Sequence, residues 1–231
     1  ATAKLGYTNV FNDVHAFDIG LFTEYYKQHF RSSSLAGYGI NEKLVGYPAG
    51  ITDGTPENEL IPVVGGSVVN RGLFSAFALA NYDYDSRFGV SASLRRDASS
   101  KFSDDNQWGT FYSLAARWNV SNENFMTNVN FVDDIKFRAS YGTTGNQAAV
   151  ADYAAETVYG QISYGGVVGL AAARIGNPDL KWETSNQFNV GLDFALFDYK
   201  LTGTVEYYNN KTTDLFVDYT LSQMSGFDQI N

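Results

Sequence analysis

The chain has no cysteine, only 4 prolines among its 231 residues, and 16 Lys and Arg against 25 Asp and Glu. The missing cysteine excludes disulfides, thiolate metal sites and thiol nucleophiles. The acidic balance, with no basic cluster, lacks the footprint of a nucleic-acid binder, and no nucleic-acid partner is expected. No run of about 18 apolar residues occurs, so the sequence holds no transmembrane helix. It also lacks a Walker loop, a dinucleotide fingerprint and a nucleophile elbow. The expectation is a non-enzyme that takes no cofactor. His15 and His29 are the only histidines. They fall about 40 Å apart along one proposed strand, at roughly 3.3 Å per residue, and so share no metal or proton relay.

Aromatic residues are plentiful, with 16 Tyr and 17 Phe, and hydrophobic content reaches 44%. That content is too high for intrinsic disorder. The dominant period is two. In Lys181 to Ala195, Trp182, Thr184, Phe188, Val190, Leu192 and Phe194 share one parity. Lys181, Glu183, Ser185, Gln187, Asn189 and Asp193 share the other. One apolar and one polar face mark a strand between two different surroundings. The same division recurs in 15–26, 87–96, 108–118, 135–141 and 200–208, more weakly in 4–11. The segment 70–82 is apolar on both parities, and its facing is open.

About eight strands result, each roughly nine to twelve residues long, where soluble strands usually run about five or six. A tilted strand crossing a bilayer needs about 9–11. Short links fall at Asn12-Asp13, Tyr84-Asp85-Ser86, Val120 to Val132, and Leu196 to Asp198; the third is long enough for one helical turn. Long ones fall at Arg31 to Val69, Asp97 to Gln107, and Gly142 to Leu180. The strict alternation predicts short periplasmic turns and long extracellular loops. The charged residues Asp18, Glu24, Arg95, Arg117, Lys136, Arg138, Glu183, Asp193 and Glu206 share the parity assigned to a barrel lumen. Lys27 and Arg96 fall on the lipid parity, at strand ends beside long loops. Phe11, Tyr25, Trp108, Trp118, Trp182 and Phe194 lie near strand ends, as interfacial girdles require. The expected fold is an all-β transmembrane antiparallel barrel.

Several stretches resemble SusC/RagA-type TonB-dependent outer-membrane transporters. Asn81-Tyr82-Asp83-Tyr84-Asp85-Ser86-Arg87-Phe88 runs into Ser91-Ala92-Ser93-Leu94-Arg95-Arg96-Asp97, similar to that family's "YDYDxRY…SxRRD" hairpin. Trp108-Gly109-Thr110-Phe111-Tyr112-Ser113 resembles "WGxFPS", with Tyr112 in place of proline. Lys136-Phe137-Arg138-Ala139-Ser140-Tyr141-Gly142-Thr143-Thr144-Gly145-Asn146 is similar to "LKLRASYGxTGN". Asn177-Pro178-Asp179-Leu180-Lys181-Trp182-Glu183-Thr184 matches "NPDLKWET" throughout.

The resemblance implies a barrel of about 22 strands, with an N-terminal plug and a SusD-like surface lipoprotein as lid. It further implies TonB-driven import of glycans or peptides across the outer membrane of a Bacteroidota-like cell. Such a barrel needs about 550 residues, at about 25 per strand and connection. The whole chain, 1–231, is therefore expected to be one partial barrel domain from the C-terminal half of a longer protein. The plug, the TonB box and the remaining strands would lie outside it. Expected partners are outer-membrane lipids, the SusD-like lipoprotein, and the TonB system through the absent N-terminal parts. Two other readings stay open: a structural or assembly subunit of a larger outer-membrane complex, and a soluble ligand-binding β-barrel.

Substrate-contact candidates are the lumen charges Arg95, Arg117, Lys136, Arg138 and Glu183, and the loop tyrosines Tyr159 and Tyr164. The alternative for the charges is a hydrated ion network, with Arg95 pairing to Asp97 and Lys181 to Glu183. For the tyrosines the alternative is packing among the loops. Asn81, Asp83 and Asp85 alternate like a calcium loop, but Ser86 and Ala92 occupy the positions that need Gly and Glu, so this reads as a polar turn. Asp104-Asp105-Asn106 reads as a solvated loop tip with Ca²⁺ binding as the alternative. Gly142 to Asn146 reads as a turn.

Overall fold

The computed structural model describes residues 1–165, 167–227 and 229–230. Among the described residues twelve strands form: β1 (Thr2–Phe11), β2 (His15–Ala36), β3 (Val63–Tyr84), β4 (Phe88–Ser99), β5 (Trp108–Asn119), β6 (Val132–Asn146), β7 (Val158–Tyr164), β8 (Val167–Arg174), β9 (Glu183–Leu196), β10 (Leu201–Thr213), β11 (Tyr219–Thr220) and β12 (Gln229–Ile230). Eight make one sheet in the order β1-β2-β3-β4-β5-β6-β9-β10. β7 pairs with β8 and β11 with β12 as separate two-stranded sheets. No helix among the described residues is long and apolar enough to cross a membrane.

The tight turns follow from their residues. Arg87 N donates to Tyr84 O at 2.8 Å. The two central residues, Asp85 and Ser86, have φ of 51° and 55°. Asn12 and Asp13, at 48° and 58°, build the same turn between β1 and β2. Two left-handed central residues match the twist of a hairpin, and Asn and Asp tolerate that conformation better than most. Asp83 Oδ1 accepts the Ser86 backbone N–H at 2.8 Å, which holds the less suited serine in place.

Strand lengths depart from the expected nine to twelve. β2 and β3 each run 22 residues. The chain divides into two compact units, 1–26 with 72–231, and 27–71. The second unit holds the outer reaches of β2 and β3 and a 3-10 turn at Pro48–Gly50. Within it His29 Nδ1 lies 2.6 Å from Asn70 Oδ1, and Ser32 Oγ 2.7 Å from Ser67 Oγ. These polar pairs join the two strands within this unit.

Other expectations are corrected. Gly142 to Asn146 is strand, not turn: Asn146 opposes Glu183 and Gly142 opposes Gln187. The polar pattern hid it because β6 here pairs with the equally polar start of β9. The segment from Gly142 to Leu180 contains the β7–β8 hairpin, so it is not plain loop. Val120 to Val132 holds two 3-10 turns, Val120–Asn122 and Asn124–Met126.

The buried hydrophobic cluster gathers at one end of the sheet, while Val120 and Ala195 are buried apart from it. Phe102, Phe111, Val150, Ala154, Leu180 and Trp182 form the buried cluster, with Leu73 and Phe216 against it. Along the sheet itself the apolar face lies bare: Leu5 is 70% exposed, Leu94 55%, Leu114 56% and Val205 64%. A sheet this apolar on its exposed face needs a nonaqueous neighbour.

Candidate functional site: the polar face of the sheet

Register fixes which side chains share a face. Directly opposed residues run Asp83–Gly89–Arg117–Arg138–Gly191–Glu206 across six strands. Both arginines would repel if they pointed at each other. Instead each reaches back over a glycine. Arg117 Nη2 forms an ion pair with Asp83 Oδ2 across Gly89. Arg138 clasps Asp193 with Nε at 2.7 Å and Nη2 at 3.0 Å, and its Nη1 lies 3.6 Å from Glu206 Oε1 across Gly191. Thr204 Oγ1 donates to Asp193 Oδ1 at 2.9 Å. This belt lines a cavity of about 580 Å³, together with Asp18 and Asn81.

A second row lies six residues further along the strands. Arg95 Nε sits 2.8 Å from both carboxylate oxygens of Asp97, and Nη2 2.9 Å from Ser75 Oγ. Its guanidinium lies 4.8 Å from the Phe77 ring centroid. Phe77 stacks on Phe22 at 4.6 Å and 6°, and Lys4 Nζ lies 5.3 Å over Phe22. This resolves the segment 70–82: Phe77 shares the polar face with Arg95, while Ala76 and Ala78 share the apolar face with Arg96 and Leu94. Cation–π contacts let two phenyl rings occupy an otherwise polar surface.

Of the sequence candidates, Arg95, Arg117, Lys136 and Arg138 all lie on this face, each near an acid; Lys136 Nζ is 3.7 Å from Asp134 Oδ2. The Arg95–Asp97 pair is present. Lys181 pairs with Asp214 at 2.9 Å, not with Glu183. The turn from β10 brings Asp214 close, which spacing along one strand could not reveal. Glu183 opens β9 at the far end of the sheet. Tyr159 and Tyr164 lie on the β7 arm, 66% and 88% exposed, away from the charged rows. Among the described residues no cluster of three or more His, Asp or Glu side chains could hold a metal. Asn106 of the loop tip instead donates to Pro178 O at 2.9 Å.

Trp182 is corrected from girdle to core. It is 8% exposed, packs on Phe102 and Phe111, and its Nε1 donates to Gln107 O at 3.0 Å. It precedes β9, so strand parity does not govern it. Ser103 Oγ also donates to Pro178 O at 2.7 Å. The Asn177 to Trp182 motif therefore ties the β4–β5 link to the segment before β9. At the opposite end, Glu123 accepts Arg87 Nε at 3.2 Å and Trp118 Nε1 at 3.1 Å. These donors hold the Glu123 carboxyl below its ordinary range, Arg87 most strongly.

On the apolar face, Trp108 and Trp118 of β5 remain 44% and 37% exposed. Ten residues span about 33 Å of strand at ~3.3 Å each. At a tilt of about 40° that gives an apolar band about 25 Å tall, the height of a bilayer core.

An apolar band between aromatic rims, backed by a charged inner face, defines part of a membrane β-barrel. The chain belongs to the family described as TonB dependent receptor-like, beta-barrel, which matches residues 2–231. This is an outer-membrane family. A TonB-dependent receptor of Formosa agariphila is 37% identical over 72% of the chain, and SusC of Bacteroides thetaiotaomicron is 37% identical over 62%. The chain spans 16% and 15% of those two relatives. The RagAB peptide importer in its closed-closed state matches 99% of the chain with TM-score 0.88 at 26% identity. The open-open state matches with TM-score 0.85, and the chain spans 25% of either solved chain.

Proposed function

We propose that this chain is a stretch of barrel wall from a SusC-like transporter that imports nutrients across the outer membrane of a Bacteroidota cell. The observation that supports it best is the division of each strand between an exposed apolar face and a face of paired charges. The cargo is a glycan or a peptide; the likeness to the RagAB peptide importer supports the second. A plug, a TonB box and further strands would come from sequence outside 1–231, and a SusD-like lipoprotein would lid the end bearing the β7–β8 hairpin. The wall contributes passage and charge, with no covalent chemistry of its own. Arg95, Arg117, Lys136, Arg138 and Glu183 face that passage, while Tyr159 and Tyr164 stand where cargo or lid would arrive. Comparable likeness to the closed-closed and open-open states supports a wall that keeps its form while other parts move.

Single cysteines placed at Asp104 and Asp13 of the full-length protein test the topology. A membrane-impermeant maleimide should label intact cells at position 104 and not at 13. Labelling at 13 alone would overturn the orientation.

A further inference from the structure

We infer that the outer rim of the membrane-facing surface, on β4, β5, β6, β9 and β10, is a binding site for one phosphorylated glycolipid. Its phosphate sits on Arg96, its sugars lie along the rim, and one acyl chain descends beside β3. This rests on the barrel reading and assigns it a specific lipid contact.

The first observation is an asymmetry between two rows of one face. Phe88, Trp118, Phe137, Leu192 and Val205 oppose one another across β4, β5, β6, β9 and β10, and all are apolar. Six residues further out on the same strands (118 to 112, 137 to 143) stand Leu94, Tyr112, Thr143, Asn186 and Lys211. The register pairs Leu94 with Tyr112, Thr143 with Asn186, and Asn186 with Lys211. Tyr112 N donates to Thr143 Oγ1 at 3.1 Å, which leaves the threonine's own proton for a ligand. Tyr141 and Phe188, directly opposed, are the last ring pair before the change. A phenol, a hydroxyl, an amide and an ammonium match a polyol or an anion, and hydrocarbon satisfies none of them. The inner row carries no such group, so the site belongs to the outer leaflet alone.

The second observation is a cation held ready on that rim. Arg96 shares this face, opposite Thr110, with its guanidinium 4.7 Å from the Trp108 ring. Arg95, Arg117 and Arg138 each hold a carboxylate. Among the described residues Arg96 has no carboxylate partner. A guanidinium stacked on an indole keeps its planar fork of donors free, and that fork matches phosphate. Four strand spacings separate Arg96 on β4 from Lys211 on β10, about 19 Å at ~4.8 Å each. That width exceeds a lone phosphate and suits a headgroup of linked sugars.

A groove of about 520 Å³ beside Arg96 makes the ligand a lipid and not a free sugar. Ala76 and Ala78 form its floor between Leu21 and Leu94. Ala76 opposes Arg96 and Ala78 opposes Leu94, so the groove runs inward from the guanidinium. An apolar channel with walls on both sides offers an acyl chain dispersion contacts along its length.

Native mass spectrometry of the full-length protein in mild detergent tests the site. The probes are phosphorylated lipid A, the same lipid dephosphorylated, phosphatidylglycerol and inorganic phosphate. One phosphorylated lipid A should be retained about tenfold better than either other lipid, and phosphate alone not at all. Arg96→Gln should erase the preference for the phosphorylated form, and Arg96→Lys should leave an intermediate one. Thr143→Val with Asn186→Leu should erase the advantage over phosphatidylglycerol while Arg96 still favours phosphate. Parent-like retention in both sets of variants, with unchanged strand circular dichroism, overturns the proposal. So does equal retention of phosphatidylglycerol by the parent, or retention of phosphate alone. A parent protein that stays monomeric in water without detergent would sink the barrel reading itself, a separate outcome.

Discussion

Arg117 and Arg138 face each other across the β5–β6 ladder, yet neither guanidinium turns toward the other. Each lies flat over the glycine on its far side: a Cβ added at Gly89 would come 3.1 Å from Arg117 Nη2, and one at Gly191 3.1 Å from Arg138 Nη2. Both glycines are required by close approach, not by backbone conformation. They convert a repulsive pair into two outward-turned ion pairs.

Replacing Gly191 by valine should therefore cost about 1–3 kcal/mol, by pushing Arg138 off Asp193 and Glu206. Gly6→Ala is the control, since its Cβ would find only Lys4 Cε at 3.7 Å and Ile19 O at 3.9 Å. It should shift stability by less than about 0.5 kcal/mol. Urea unfolding from vesicles reads both.

In the Asp83–Arg117 pair the side chains are 32% and 41% exposed, so solvent screens it. A double-mutant cycle with Asp83→Asn and Arg117→Gln should give a coupling of about 0.5–1 kcal/mol, falling with salt. Arg138→Gln should cost more than Arg117→Gln, because it releases two acids where the other releases one.

Glu123 carries a pH signature. Its folded carboxyl titrates below its ordinary value, so the stabilisation is complete above the unfolded carboxylate range and is lost as pH falls through the folded value. Glu123→Gln should lower the thermal midpoint at pH 7. The gap to the parent should narrow as pH falls below the unfolded carboxylate range, about 4.3, and close only below the lowered folded value. A gap that persists in acid would assign the effect to packing of the carboxamide.

Trp182→Ala should cost about 3 kcal/mol or more and open the segment 142–180 to protease, because the indole ties two links together. Trp182→Phe should recover part of the protection. In brominated-lipid vesicles, single-tryptophan variants should show quenching at Trp108 and Trp118 and none at Trp182.

Much of this was legible in the sequence, for a physical reason. Where a strand separates hydrocarbon from water, each residue's polarity reports its face, and 87–96, 108–118 and 200–208 read correctly. The tight turns announced themselves through Asn12-Asp13 and Asp85-Ser86. What stayed hidden depended on neighbours distant in sequence. Phe77 is tolerated on the polar face because Arg95 and Phe22 flank it. Trp182 changes role because it sits one residue before its strand. Gly142 to Asn146 looked like a turn until β9 supplied its partner. The Asp83 to Glu206 row spans six strands, and no period along one strand can show it.

The membrane-facing band is tested most directly by one pair of substitutions. Leu114 is exposed at mid-band, opposite Ala92 and Tyr141, and Ala98 opposes Trp108 at the rim. Folding of the full-length protein into lipid vesicles, followed by denaturant titration, measures both arginine variants. Leu114→Arg should cost about 2–4 kcal/mol and Ala98→Arg less than about 1 kcal/mol. An exposed leucine facing water would accept arginine at no cost, so a neutral Leu114→Arg would contradict the barrel.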